Sequence, residues 1–424
     1  MQWTPKFQYA SRSDVGMKRQ NNEDNYSITL CPEETLWLTR GHLFAVADGM
    51  GGHEVGELAS KSALDTLPHV YFKSGLEQPA DALHDAFQEA NRSVFEIGNR
   101  NRDFKRLGTT CSALVAFAEG YLVGHVGDSR IYRVRDERID QLTFDHTVGW
   151  EQRLRRRRQP DEAELPAEKY SHVLTRCLGP DPSVRIDIEG PFEYMPGDVF
   201  IICSDGLTKY VSDVEIGTYA KHLPVPDAVK LLTNLANLRG GADNCTVIII
   251  RVTRQDGSVT PPPTADYPIP VETSPLLQPA LFAGTLLFGV AAGLLSYHQW
   301  AIPAALSGMV SAALLFAGYQ IGKKRNGQPG SYGDYEIDEE GNSTVFFRPY
   351  RTAALRLSAA SVQKLKDATE KIRETAVTYQ WKVDLEACDR KIEQANNTFS
   401  GQKLKQAMLE YSRAIDLLMQ NIPR

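Results

Sequence analysis

Apolar residues fall along the chain in two rhythms. Short runs rich in Val, Ile and aromatics occupy residues 43–47, 111–117, 121–134, 199–203 and 246–252, and read as strands. Residues 56–67 and 80–99 instead carry apolar positions at helical spacing. Several strands follow one another with only a turn between, as residues 111–117 do before 121–126. This order predicts antiparallel sheets with added helices rather than a wholly βαβ fold.

The rhythm changes past residue 254. Residues 255–278 hold a series of prolines and read as an extended, semi-rigid linker. From Thr273 to Gly322 there is no Asp, Glu, Lys or Arg. Within that stretch lie two apolar runs, residues 279–297 and 301–321, each about 20 residues and near the length that crosses a bilayer. Tyr297-His298-Gln299-Trp300 between them suits a turn at an interface, and Lys323-Lys324-Arg325 places that end on the cytoplasmic side. The reading is two transmembrane helices over residues 279–321, with both flanking parts cytoplasmic.

Residues 322–352 read as a second linker, Gly-rich and polar in its first half. Residues 353–424 read as a cytoplasmic helical module, with helices over 353–376, 383–396 and 403–419. In the last of these, Ala407, Tyr411 and Ala414 resemble the second helix of a tetratricopeptide unit. One partial unit does not make a repeat array, and a plain helical hairpin or coiled coil is the simpler expectation. The expected organisation is therefore a domain over 1–254, a linker over 255–278, spans over 279–321, a linker over 322–352 and a tail over 353–424.

At 424 residues more than one unit is expected. A formal net charge of -6 with 24% charged residues is ordinary, and nothing points to a nucleic-acid partner. The six cysteines lack metal or disulfide spacing and mostly sit in apolar runs, as in a reduced compartment. The N-terminal residues lack a signal-peptide apolar core.

Chemistry enters through the ends of the strands. Asp48-Gly49, Gly127-Asp128, Asp205-Gly206 and Asp243-Asn244 each adjoin a buried-looking run, and Glu23-Asp24 form an early acidic pair. Carboxylates so placed are costly unless positive charge meets them. Oxygen ligands without a His/Cys set point to hard divalent cations rather than zinc. Each Asp-Gly alone is an ordinary turn signal. Together the acids suggest a two-metal phosphohydrolase, with an Arg needed to grip phosphate.

The motifs occur in a particular order. Ser13-Asp14-Val15-Gly16-Met17-Lys18-Arg19-Gln20-Asn21-Asn22-Glu23-Asp24 comes first, then Val46-Ala47-Asp48-Gly49-Met50-Gly51-Gly52-His53. Leu107-Gly108-Thr109-Thr110 and Val126-Gly127-Asp128-Ser129-Arg130 follow, then Leu142-Thr143-Phe144-Asp145-His146. Leu174-Thr175-Arg176-Cys177-Leu178-Gly179, Ser204-Asp205-Gly206-Leu207 and Asp243-Asn244-Cys245-Thr246 complete the set. This series resembles the bacterial branch of the metal-dependent type 2C protein Ser/Thr phosphatases over about residues 7–254.

The resemblance implies an α+β fold of two stacked antiparallel β-sheets flanked by helices, with metals at one end. It implies Mn²⁺ or Mg²⁺, two ions with a third, weaker site, and hydrolysis of phosphoserine and phosphothreonine by a water bridging the metals. Asp48 would bridge both ions, with the Gly49 carbonyl on one. Asp205 and Asp243 would hold the other. Glu23 and Asp24 would hold metal-bound waters, Arg19 the substrate phosphate, and Asp128 the third ion. Implied partners are phosphorylated proteins, a Ser/Thr kinase and that kinase's substrates. The helical tail lies outside the resemblance, and its periodicity and charge lead to the expectation that it binds another protein.

One position departs from the eukaryotic pattern. Met50 stands where a histidine is proposed as general acid, and methionine donates no proton. His53 and His146 read as structural, and Asn244 as positioning the Asp243 strand. Arg153 and Arg155–Arg158, in the variable flap between Asp145 and Leu174, read as a solvated basic face. Docking of acidic segments and contact with anionic lipid are the alternatives there. Two other function classes remain open: a catalytically silent scaffold that senses phosphoproteins, and a phosphatase directed at regulators in a partner-switching pathway.

Overall fold

A computed structural model describes residues 6–51, 54–100, 104, 107–152, 172–253, 350–420 and 422. The expected linkers (apart from Tyr350–Thr352), the two transmembrane runs, His53 and the basic flap residues Arg153 and Arg155–Arg158 lie outside them. Among the described residues no helix is long and apolar enough to cross a membrane.

In chain order the strands are β1 (Lys6–Asp14), β2 (Asp24–Thr29), β3 (His42–Met50), β4 (Gly108–Thr109), β5 (Cys111–Phe117), β6 (Gly120–Val126), β7 (Arg130–Arg135), β8 (Arg138–Gln141), β9 (Asp187–Phe192), β10 (Val199–Cys203), β11 (Cys245–Thr253) and β12 (Arg351–Ala354). The helices, numbered in the same way, are α1 (Glu34–Thr39), α2 (Glu54–Lys73), α3 (Pro79–Arg100), α4 (Asp205–Thr208), α5 (Asp213–His222), α6 (Val225–Leu238), α7 (Ala359–Thr378), α8 (Leu385–Ser400) and α9 (Leu404–Met419).

Two antiparallel sheets result, ordered β1-β11-β10-β7-β8-β12 and β2-β3-β5-β6-β9, with β4 beside β3. They face each other through aromatic contacts, Tyr121 with Phe200 at 4.7 Å between ring centroids and Tyr9 with Phe44 at 5.8 Å. The outer faces are covered too. Alternate residues of β10 and β11 (Ile201, Cys203, Val247, Ile249) pack with α5, α6 and the C-terminal helices. Leu43, Ala45 and Ala47 of β3 pack with α2 and α3. Both faces of the central strands are thus dry, which is why they read as continuous apolar runs rather than alternating ones.

Two sequence expectations need correction. The run 121–134 is not one strand. It breaks at Gly127, whose φ of +116° and near contact with Thr110 favour glycine, and its halves β6 and β7 lie in different sheets. The stretch expected as helix from residue 353 begins instead as β12, and the helix starts at Ala359.

The tail also does not stand apart. The described residues from 350 onward belong to the same compact unit as the described residues between 6 and 253. β12 pairs antiparallel with β8, Arg351 opposite Gln141 and Ala354 opposite Arg138. Leu355 seats over Gly217 of α5, where a Cβ would lie 2.8 Å from its Cδ2. α9 carries Ala407, Met408, Tyr411, Ile415 and Leu418 buried on one side. Its Asp416 accepts from Lys230 of α6 at 2.9 Å, and Arg413 donates to Asp227 at 3.1 Å.

Candidate metal centre

The sheet registers put the acid-bearing corners at one end of the sandwich. In the first sheet Asp14 pairs with Cys245, and Cys203 pairs with both Val247 and Arg130. The turns after β1 and β10 and those before β11 and β7 therefore share an edge. In the second sheet Asp24 pairs with Asp48 and Cys111 with Val126, which brings the start of β2 and the ends of β3 and β6 to an edge. The two edges meet: Ser204 donates from Oγ to Asp24 Oδ2 at 2.7 Å and accepts from the Thr246 amide at 3.0 Å.

Asp24 and Asp48 are directly opposed across the β2–β3 ladder, an arrangement of like charges that destabilises a sheet. Burial pushes the Asp24 carboxyl up to about 7. Hydrogen bonds from Ser204 and Thr246 oppose this, and the charges of Asp205 and Asp243 add to it. Burial, then Asp24, Asp205, Asp128 and Asp243, hold Asp48 well above the usual carboxylate range. Asp128, in the β6–β7 turn, is pushed up to about 8 by burial and then by Asp205 and Asp145. Asp205, at the start of α4, is raised by burial against the pull of Lys209.

Two cations answer these acids. Lys209 Nζ lies 2.7 Å from Asp205 Oδ2 and 2.9 Å from Asp243 Oδ2. The Arg19 guanidinium lies 2.8 Å from Asp243 Oδ1 and 3.9 Å from Glu23 Oε2. Asp24 Oδ1 and Asp205 Oδ1 are buried without a hydrogen-bond partner. Among the described residues no three acidic, His or Cys side chains converge as a ready-made metal cage. The physical reason lies in the contacts above: Asp205 Oδ2 and both oxygens of Asp243 are turned to Lys209 and Arg19, and one of Asp24's to Ser204. The donor set still fits hard divalent ions. It is all oxygen, densely anionic, and holds two orphaned carboxylate oxygens that a cation would satisfy.

The backbone around the acids is shaped for close approach. A Cβ on Gly49 would lie 2.0 Å from the Gly56 carbonyl oxygen, and one on Gly56 2.8 Å from Glu23 Cδ. The Asp48 carbonyl accepts from the Thr109 hydroxyl and the Thr110 amide, both at 2.9 Å, which fixes the end of β3.

Asn244 does more than position its own strand. Its Nδ2 donates to the carbonyls of Val15 (2.8 Å) and Asn21 (3.0 Å), and its Oδ1 accepts from the Glu23 amide (2.8 Å). It thereby staples the loop that carries Arg19 and Glu23. His146 is buried, accepts from the Gly127 amide at 3.0 Å and reaches Asp187 at 2.9 Å. Burial lowers its pKa, so it serves as a neutral brace for the Asp128 turn. Arg130 grips Asp145 with two nitrogens, Nε at 2.9 Å and Nη2 at 2.6 Å, beside the same turn. Met50 ends β3 and is half-buried. Lys209 was not singled out from sequence; its i,i+4 spacing from Asp205 on a helix start was the available signal.

The raised carboxyls set a pH dependence. A carboxyl with a folded pKa above its unfolded value binds more protons when folded, so its stabilisation is lost as pH rises towards the folded value. The buried histidines His125 (about 3) and His222 (about 4) act in the opposite sense, but only below about pH 6.5, the usual histidine value. Above that, Asp24 at about 7, Asp128 at about 8 and the buried Glu189 at about 7 dominate. Metal-free protein is expected to melt at progressively lower temperature between about pH 6.5 and 8.5. Saturating Mn²⁺ should flatten that slope. A metal-free Tm that rises across the window would contradict the charge cluster.

The sequence profile described as protein phosphatase 2C matches residues 18–237. A protein phosphatase 2C-type protein of Streptococcus pyogenes is 32% identical over 249 residues, 58% of this chain and 97% of its own length. The serine/threonine protein phosphatase PstP of Mycobacterium tuberculosis is 31% identical over 256 residues, 60% of this chain and 47% of its own. Among solved structures, the S. agalactiae serine/threonine phosphatase superposes with a TM-score of 0.50 at 29% identity, over 58% of this chain and 99% of that one.

Proposed function

This chain belongs to the protein phosphatase 2C family, and from that premise we propose a divalent-metal-dependent protein serine/threonine phosphatase of bacterial type. The observation that carries the reading is the convergence of Asp24, Asp48, Asp128, Asp205 and Asp243 at one end of the sandwich, each strained by the others' charge or drawn to a cation. Asp48, Asp205 and Asp243 would hold two ions of Mn²⁺ or Mg²⁺, with Glu23, Asp24 and the Gly49 carbonyl beside them. Asp128 would complete a third site.

Ions bound there would supply an activated water and positive charge for the phosphoryl oxygens. The chain's own residues do the rest. Arg19, freed from Asp243, would fork onto the phosphate. Asn244 holds the Arg19 loop in place, and Thr109 and Thr110 hold Asp48. Substrates are phosphoserine and phosphothreonine in proteins, so a Ser/Thr kinase stands opposite. The full acid set argues against a silent scaffold.

We also propose that residues 279–321 anchor the enzyme in the cytoplasmic membrane by two spans. The pairing of β12 with β8 supports an even number of crossings, since the chain returns to the domain it left. The catalytic unit and tail would then both be cytoplasmic. A reporter that works only outside the cytoplasm, fused after Arg424, should stay silent; a signal from it would refute the topology.

The activity test is phosphate release from a phosphothreonine peptide by the full chain, with Mn²⁺ and with chelator. Release that needs metal and vanishes in Asp205→Ala is the expected result. Metal-independent release would remove the proposed chemistry.

A further inference from the structure

Lys209 occupies an unusual place. Its amide donates to the Asp205 carbonyl at 2.9 Å, so the single turn of α4 fixes its backbone. Its side chain folds back, with Nζ between Asp205 Oδ2 at 2.7 Å and Asp243 Oδ2 at 2.9 Å. Arg19 approaches Asp243 from its other oxygen. Among the described residues Lys209 is the one cation in an ion pair with Asp205.

We propose that Lys209 is a built-in counter-cation that holds Asp205 and Asp243 together before metal binds and must be displaced for metal to bind. The inference rests on the reading of these carboxylates as metal ligands, and deepens it. An ion taking oxygens from both aspartates needs the space that Nζ fills. The backbone of Lys209 is held, but its four-carbon stem is flexible and a third exposed, so the ammonium can swing into water. The ion pairs and the metal thus compete for the same oxygens, and Lys209 sets the metal concentration at which the site fills. Linkage makes the effect reciprocal: what Lys209 gives to the metal-free fold it takes from metal affinity.

The test is calorimetric titration of Mn²⁺ into the metal-free full chain, with thermal melts, for the wild type, Lys209→Met and Lys209→Arg. Lys209→Met is expected to bind Mn²⁺ about tenfold tighter. It should melt lower than wild type without metal and at nearly the same temperature when saturated. Lys209→Arg, which keeps the charge, should stay near wild type. Equal affinity in wild type and Lys209→Met would overturn the inference and leave the metal reading standing. No Mn²⁺ uptake by any of the three would overturn both. Should Lys209→Met be unfolded without metal, Mn²⁺-driven folding followed by circular dichroism replaces the titration. Folding below the wild-type Kd supports the inference, and failure to fold at any Mn²⁺ concentration overturns it.

Discussion

Asp48→Asn should all but abolish phosphate release while making the metal-free protein more stable. The two effects share one cause. Asp48 lies in the middle of the acid cluster, opposed to Asp24 across the β2–β3 ladder, and its carboxyl is raised by burial and then by four neighbouring aspartates. Asp48 must take up a proton on folding or face its neighbours' charge, because its carboxyl is held well above the usual range; an amide of the same size needs neither, so Tm without metal should rise by a few degrees at neutral pH and above. The same change removes the carboxylate expected to bridge the ions. Outer partners of a metal are worth ~10–100-fold, so loss of a bridging ligand should cost kcat/KM at least about a hundredfold. Mn²⁺ affinity should fall with it. Activity close to wild type would show that Asp48 is not a ligand. Lower metal-free stability would show that its hydrogen-bonded surroundings matter more than the repulsion.

That trade between stability and function explains which parts of the site were legible in the sequence. Aspartates at the ends of apolar runs stand out because the fold itself has no use for them there, and Asp48, Asp128, Asp205 and Asp243 are all of this kind. Antiparallel pairing was readable because strands joined by short turns leave few alternatives to it, whereas the stacking of two sheets was implied only by the family resemblance. Residues that act through another residue carried a weaker signal. Asn244 reads as an ordinary residue after a turn, yet it makes three hydrogen bonds to the Arg19 loop more than 200 positions away in sequence. Lys209 looks like a surface lysine until the fold brings Asp243 beside Asp205. The break between β6 and β7 was hidden because Gly127 and Asp128 interrupt the run for only a few residues, and the change of sheet depends on tertiary contacts with Thr110 and His146.

The tail was the least legible part, and it supports the second large prediction. A chain ending at residue 253 is expected to be markedly destabilised, with Tm lower by about 10 °C or more, or to aggregate, although it retains every residue of the acid cluster. Three losses combine. Without β12, strand β8 becomes an open sheet edge, which invites pairing with other chains. Without Leu355, Gly217 and Ile139 of the core are uncovered. Without α9, the α6 face carrying Asp227, Lys230 and Asn234 loses its partners, and core packing around α6 is exposed to water. Each large apolar side chain returned to water costs about 1.5–3 kcal/mol, against a margin of about 5–15 kcal/mol for a whole domain. β12 also reaches towards the catalytic end. Arg351 pairs at 3.0 Å with Asp213, which lies 3.8 Å from Arg130, and the Tyr350 ring meets Phe144 at 5.6 Å between centroids, tilted by 56°, next to the Asp145 that Arg130 grips. Activity should therefore fall along with stability, and adding residues 350–424 as a separate chain should restore part of both. A truncated chain with unchanged Tm and unchanged turnover would mean that the tail only rests on the domain. The expected loss instead makes residues 350–422 part of the catalytic domain, so a chain that leaves at residue 254 must come back to complete it.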